Sequence, residues 1–205
     1  MKTTTRHAIR TLAVIALGIT GAQAATIALN NGSLEAGGSA WNIPNNFDDW
    51  SESGQTGKAP VAHTGSYGLW NCWGYGWNSL SQQSTYTVAS VGETISAFVW
   101  AKTDGNLGTE TAWFNLTLTL DNVGVAFAQP NYSGGQDWTE LTASYVTTAA
   151  DIGKTVGISF GTDGGPTNNQ PNYVYMDDAS LSVIPEPSAT VLGGLGVLAL
   201  LRRRR

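Results

Sequence analysis

Through the middle of the chain apolar and polar residues alternate with a period of two. The clearest run sets Phe114, Leu116, Leu118 and Leu120 against Asn115, Thr117 and Thr119, the pattern of a strand with one buried and one wet face. Similar runs extend over 94–102, 141–147 and 155–160, the last through Val156, Ile158 and Phe160. Gly, Asn and Asp punctuate the intervals, as turns require. No apolar stripe of helical period occurs between residues 25 and 183. Short strands rich in Thr and aromatic residues, separated by turn formers, predict an all-β domain built as an antiparallel β-sandwich.

The two ends follow different patterns. Lys2, Arg6 and Arg10 precede an apolar stretch from Leu12 to Ile19, and Ala22-Gln23-Ala24 supplies the small-x-small site of a signal peptidase. That order predicts a signal peptide over 1–24, cleaved after Ala24. At the other end Pro185-Glu186-Pro187 leads into an apolar run from Ala189 to Leu201 and then Arg202 to Arg205. As a helix rising ~1.5 Å per residue that run reaches only about 20 Å, against the ~30 Å core of a bilayer. It predicts a short transmembrane helix that spans with strain, its arginines on the cytoplasmic side and the domain outside.

The Pro-Glu-Pro triplet, the Gly-rich apolar stretch and the basic end together resemble the PEP-CTERM sorting signal. The resemblance implies processing at Pro185, Glu186 and Pro187 by an exosortase, a membrane cysteine transpeptidase of bacteria that make exopolysaccharide. The expected organisation is a signal peptide (1–24), a β-sandwich domain (25–183) and a sorting tail (184–205). The expected location is the cell envelope, its outer surface or the extracellular matrix, with transient tethering through the tail.

Charge narrows the partners. Of 15 acidic residues only Glu186 lies outside the central domain, whose basic residues are Lys58, Lys102 and Lys154, so 14 acids face 3 lysines, a balance of −11. Such a surface repels phosphate backbones and anionic lipid, which excludes nucleic-acid binding and leaves membrane attachment to the tail. Neutral glycans and divalent cations remain compatible. The single Cys72 permits no intramolecular disulfide, and reads as a small buried side chain. His63 is the one histidine outside the signal peptide, beside Thr64-Gly65-Ser66, a turn context that gives a nucleophilic triad no support.

Three short motifs carry a second resemblance. Asn31-Gly32-Ser33-Leu34-Glu35, Gly65-Ser66-Tyr67-Gly68-Leu69, and the closing run from Tyr173 through Asp177-Asp178 to Leu181 look like the galactose-binding-like jelly roll of many carbohydrate-binding modules. Ala179 departs from the pattern, which usually has a larger aliphatic residue there. The resemblance implies a jelly roll and a structural Ca²⁺ held by Glu35 and Asp177, with Asp178 as the alternative ligand. Strand parity around the acidic pair is split: Val174 and Met176 point one way, and Ala179, Leu181 and Val183 the other, as a bulge at the pair would produce.

For ligand binding the candidates are Trp70, Trp73, Tyr75 and Trp77. The last three are spaced by two, so an extended backbone sets them on one face, with Asn71, Asn78 and Gln82 near in sequence as hydrogen-bonding groups. They form either an exposed platform for sugar rings or part of the core. Glycoside hydrolysis needs two carboxylates facing each other across about 5 to 10 Å; Asp48-Asp49 and Asp177-Asp178 are adjacent pairs, which in a regular strand diverge. The expected function is therefore a non-catalytic, glycan-binding module directed at exopolysaccharide or another glycan. The alternatives are a structural or adhesive surface protein with no defined ligand, and a glycan-active enzyme.

Overall fold

The structure is a computed structural model that describes residues 23–37, 47–54, 56–73, 78–103, 111–133, 135–162, 172–186 and 196. Residues 1–22, most of the expected signal peptide over 1–24, and the chain from Pro187 onward, apart from 196, lie outside the described residues. Among those described, no helix is long and apolar enough to cross a membrane.

Twelve strands follow in order among the described residues: β1 (Ala25–Ile27), β2 (Ser51–Ser53), β3 (Thr56–Ala59), β4 (Gly68–Trp73), β5 (Asn78–Thr87), β6 (Thr94–Thr103), β7 (Thr111–Leu120), β8 (Val123–Ala128), β9 (Asn131–Ser133), β10 (Gln136–Val146), β11 (Thr155–Thr162) and β12 (Asn172–Ile184). They form two sheets. The first runs β10-β6-β12-β4-β3 with β1 also on β12, and the second runs β2-β5-β11-β7-β8 with β9 also on β7. All pairings are antiparallel. This is the expected antiparallel β-sandwich of jelly-roll type.

The alternation read from the sequence decides which face is inside. On β7, Phe114, Leu116, Leu118 and Leu120 are all buried, and they register against β11 through Leu118↔Ile158 and Leu116↔Phe160. From the facing sheet Leu69, Ile95, Val99 and Met176 enter the same core. Trp50 closes one edge, its ring edge-on to Phe160 at 5.2 Å and its indole N–H donated to the Asn31 carbonyl at 3.0 Å. β7 and β8 are joined at Asp121 and Asn122, both at positive φ (50° and 65°), as a two-residue hairpin turn matched to strand twist demands.

Two buried acids that periodicity does not flag fasten the far end of the sandwich. Glu93 accepts from the Tyr86 hydroxyl, the N–H groups of Ala89 and Ser90, and the Ser90 hydroxyl. Burial first, and then this carboxylate, push the Tyr86 phenol up to about 12. Asp151 accepts from Lys154 at 2.8 Å, from Thr148 and from the Tyr145 hydroxyl. The Lys154 ammonium and then Thr148 hold its carboxyl well below the usual range.

Strand β12 organises the first sheet. It keeps β6 along one edge, while the other edge is shared by β4, paired with residues 172–176, and β1, paired with residues 181–183. The register with β6 slips between Asp177 and Ser180, and Asp178 takes a left-handed φ of 51°. This is the bulge that the split parity called for. It opens a place beside the acidic pair where the loops from both chain ends meet.

Candidate functional site

Residues 63–67 lie between carboxylates drawn from distant parts of the chain. Glu35 Oε1 accepts the backbone N–H groups of Ser66 at 2.7 Å and Tyr67 at 3.0 Å. Asp177 Oδ2 accepts those of His63 at 2.8 Å and Thr64 at 3.1 Å, and its Oδ1 accepts the N–H of Asp178 at 2.8 Å. Gly65 sits at φ 71°, and a Cβ there would lie 2.2 Å from Glu35 Oε1, so the carboxylate can close on the loop only over glycine. Asp177 is fully buried, and burial pushes its carboxyl up to about 6 against the opposing pull of the N–H donors.

Asp178 points to the same loop. Its Oδ2 lies 2.7 Å from His63 Nδ1, and its Oδ1 accepts from the Thr64 hydroxyl at 2.8 Å. The expectation that adjacent acids diverge fails at this pair because the left-handed residue breaks the alternation on which it rests. Both carboxylates converge on residue 63, one on its backbone and one on its ring. Asp49, of the other adjacent pair, lies in a turn at φ 69°.

The implied calcium site has its two named acids on one loop, but the donor set does not suit the ion. Calcium takes about six to eight oxygens aimed at one point, whereas Glu35 Oε1 and both oxygens of Asp177 are committed to backbone N–H groups. Asp178 is committed to His63 and Thr64. The carbonyls of Glu35 and Gly37 already accept from the Lys58 ammonium. Among the described residues no three His, Cys, Asp or Glu side chains gather as metal ligands would.

Of the aromatic candidates, Trp70 lies on the outer face of the first sheet, opposite in parity to the core residue Leu69. It is nevertheless only 3% exposed, packed with Ala59 and Tyr175 under Val61 and Trp138 in a second apolar cluster. Trp70 is therefore not a solvent-facing platform. Its register runs Gly57↔Trp70↔Tyr175↔Lys102 across four strands. In the next row, Trp100 stacks flat on His63 with ring centroids 3.9 Å apart, and Trp138 meets that imidazole edge-on at 5.6 Å. His63 thus fastens its loop to the sheet through a hydrogen bond to Asp178 and a ring stack. Trp73 closes β4, its backbone paired with Asn172. Its side chain, that of Cys72, and all of Tyr75 and Trp77 lie outside the described residues.

The outer face of the second sheet is of another kind. Reading across strands, one row is Ser51↔Ser81↔Ser159↔Thr117↔Phe127, and beside it run Ser53↔Ser79↔Gly161↔Asn115 and Gln83↔Gly157↔Thr119↔Gly124. None of these side chains ionises. The Gln83 amide lies across Gly157, where a Cβ would sit 2.1 Å from Nε2, and donates to Thr119 Oγ1 at 3.2 Å. Gln83 Oε1 is buried without a hydrogen-bond partner among the described residues, an arrangement that costs about 1–3 kcal/mol unless something donates to it. Two rings border the face: Trp113, 43% exposed, and Phe127, 58% exposed and resting over Gly124. Gln82, one residue away, faces elsewhere, its amide joined to Asn30 and to the Asp49 carbonyl. Asn78 is buried at the start of β5.

No family model matches the chain, and no curated protein matches it in sequence. Solved structures match in fold. A cyclase from Fischerella sp. TAU aligns with a TM-score of 0.62 at 16% identity, over 80% of this chain and 98% of that one. The arabinose-bound α-L-arabinofuranosidase MgGH51 aligns at 0.52 and 13% identity, over 78% of this chain and 26% of the enzyme. The CBM22-1 xylan-binding domain of Paenibacillus barcinonensis Xyn10C aligns at 14% identity over 80% of this chain and 96% of that one, with a TM-score of 0.49 too low to carry an argument. At these identities the likeness shows the fold alone.

Proposed function

We propose that this protein is an exported, non-catalytic module that binds a neutral glycan on the outer face of the β2-β5-β11-β7-β8 sheet. The observation that carries the reading is Gln83: a buried amide oxygen with no donor among the described residues, set over a glycine in a field of Ser, Thr and Asn side chains. Sugar hydroxyls are donors and acceptors of the matching kind, and Trp113 and Phe127 offer flat apolar surface to C–H faces. The absence of ionisable groups among the outward side chains named on that face supports a neutral ligand. It also supports binding rather than hydrolysis, because the two carboxylates that converge, those of Asp177 and Asp178, sit on the other sheet.

The test is retention on immobilised neutral polysaccharides, with a glycan array to find the ligand. Trp113→Ala should weaken binding about tenfold or more, the worth of one stacked ring, while its melting temperature stays at the wild-type value because the ring is exposed. Gln83→Ala should weaken binding as well. A blank array, or a Trp113→Ala protein that binds as tightly as wild type, would remove this reading and leave the structural or adhesive one.

The same proposal takes the chain from Pro185 onward as a PEP-CTERM sorting signal. Ile184 is the last residue paired with β6, opposite Thr94, and Pro185 and Glu186 follow directly, both exposed. The Glu186 side chain lies against the turn at Gly92, where a Cβ would come within 2.7 Å of it, so the triplet begins at the edge of the folded domain. Intact mass of the protein from its native host should show chains ending at or near 185–187. Recovery of chains that keep Arg202 to Arg205 would exclude processing.

A further inference from the structure

We propose that the Lys58 ammonium is the built-in cation of this domain, occupying the Glu35 and Gly37 carbonyls where a divalent ion would otherwise be sought, so that the fold is complete without metal. Lysine is rarely buried unless it is partnered, yet Lys58 is only 6% exposed. Its partners explain why. Nζ donates to the Glu35 carbonyl and, at 3.5 Å, to that of Gly37, and it lies 4.4 Å from the centre of the Tyr67 ring, a distance that suits a cation on a π face.

The arrangement ties three segments together. Lys58 comes from β3, an edge strand in register with β4 through Lys58↔Leu69. Its ammonium holds the backbone of Glu35, and the side chain of Glu35 in turn holds the N–H groups of Ser66 and Tyr67. One positive charge on β3 therefore holds the backbone of Glu35 and Gly37 and lies against the Tyr67 ring, while the Glu35 carboxylate holds the loop that carries that ring. A calcium ion at those carbonyls would meet an ammonium that cannot leave, and like charges at contact distance repel strongly in a buried site. The inference is independent of the glycan reading, since Lys58 belongs to neither the Gln83 face nor its rings.

Thermal unfolding in millimolar EDTA and in millimolar CaCl₂ tests it on the wild-type chain. The two melting temperatures should agree, because an ion that does not bind the native state cannot stabilise it. Lys58→Met, which keeps the stem and removes the charge, should melt lower by about 5 °C or more, as expected for the loss of charge-assisted hydrogen bonds in a domain of this size. Should Lys58→Met fail to fold, a lysine-selective ¹⁵N spectrum of the wild type still decides the point: one ammonium protected from solvent exchange is expected, and a spectrum in which every lysine ammonium exchanges freely would contradict it. A wild-type melting temperature that rises with calcium or falls with EDTA, or a Lys58→Met protein that melts with wild type, would overturn the proposal.

Discussion

Trp70→Ala should lower the free energy of unfolding by about 3–5 kcal/mol, the range for deleting a large buried aromatic side chain. Trp70 belongs to an apolar cluster with Ala59 and Tyr175 on the side of the first sheet that faces away from the main core. Its loss would leave Val61 and Trp138 with nothing beneath them. The cavity should be poorly repaired, because the row Gly57↔Trp70↔Tyr175↔Lys102 is fixed by strand register on both sides and close-packed interiors relax only in part. Urea unfolding of wild type, Trp70→Ala and Trp113→Ala in parallel makes the comparison. The Trp70 variant should lose a large part of its midpoint at unchanged slope, and the Trp113 variant almost none. A Trp70→Ala protein within about 1 kcal/mol of wild type would mean that this ring is not held as a core residue.

The contrast between these two tryptophans shows what the sequence made legible and why the rest stayed hidden. Strands β6, β7, β10 and β11 were readable because each has one face in the main core, and burial on a single face imprints a period of two on Phe114 to Leu120 and on Val156 to Phe160. The bulge at Asp177 and Asp178 was readable for the same reason, since the inward parity changes between Met176 and Leu181. The sequence leaves Trp70 open between platform and core, and the ring is buried because the first sheet is covered on its outer face too. A ring with parity opposite to Leu69 is then as buried as one pointing inward.

The site residues were hidden by physics that is not local. Gln82 and Gln83 are neighbours of one type, and only the register of β5 on β11, with Gln83 opposite Gly157, shows which amide lies on the polar face. Lys58 carries the commonest surface side chain, and nothing in its neighbours along the chain reveals that two carbonyls and a tyrosine ring surround it. Asn115, Thr117 and Thr119 read as the wet half of an alternating strand, yet Thr117 and Thr119 are buried, one paired with Phe127 and the other bonded by Gln83. Which strands stand side by side, and hence that the Ser, Thr and Asn residues of the second sheet form one continuous face, is a matter of topology.

Asp177→Ala should be the other severely destabilised variant, by about 2–4 kcal/mol at neutral pH, because it strips the acceptor from three backbone N–H groups in a partly buried loop. His63 and Thr64 would lose their backbone bonds to β12 together, leaving the segment fastened by Glu35 at one end and, through the His63 and Thr64 side chains, by Asp178 at the other. The pH dependence distinguishes this carboxylate from an ordinary salt-bridging one. Burial raises the Asp177 pKa from 3.8 to about 6, so between those values the folded chain binds a proton that the unfolded chain releases. Its contribution is then fully present below about pH 4 and declines as pH rises through 6, the reverse of an acid such as Asp151, whose lowered pKa makes its stabilisation fade on acidification. The stability gap between wild type and Asp177→Ala should accordingly be widest near pH 4 and narrow by pH 7, measured by urea unfolding across that range. A gap that widens as pH rises would show that the ionised form is the favoured one, with the N–H donors outweighing the cost of burying the charge.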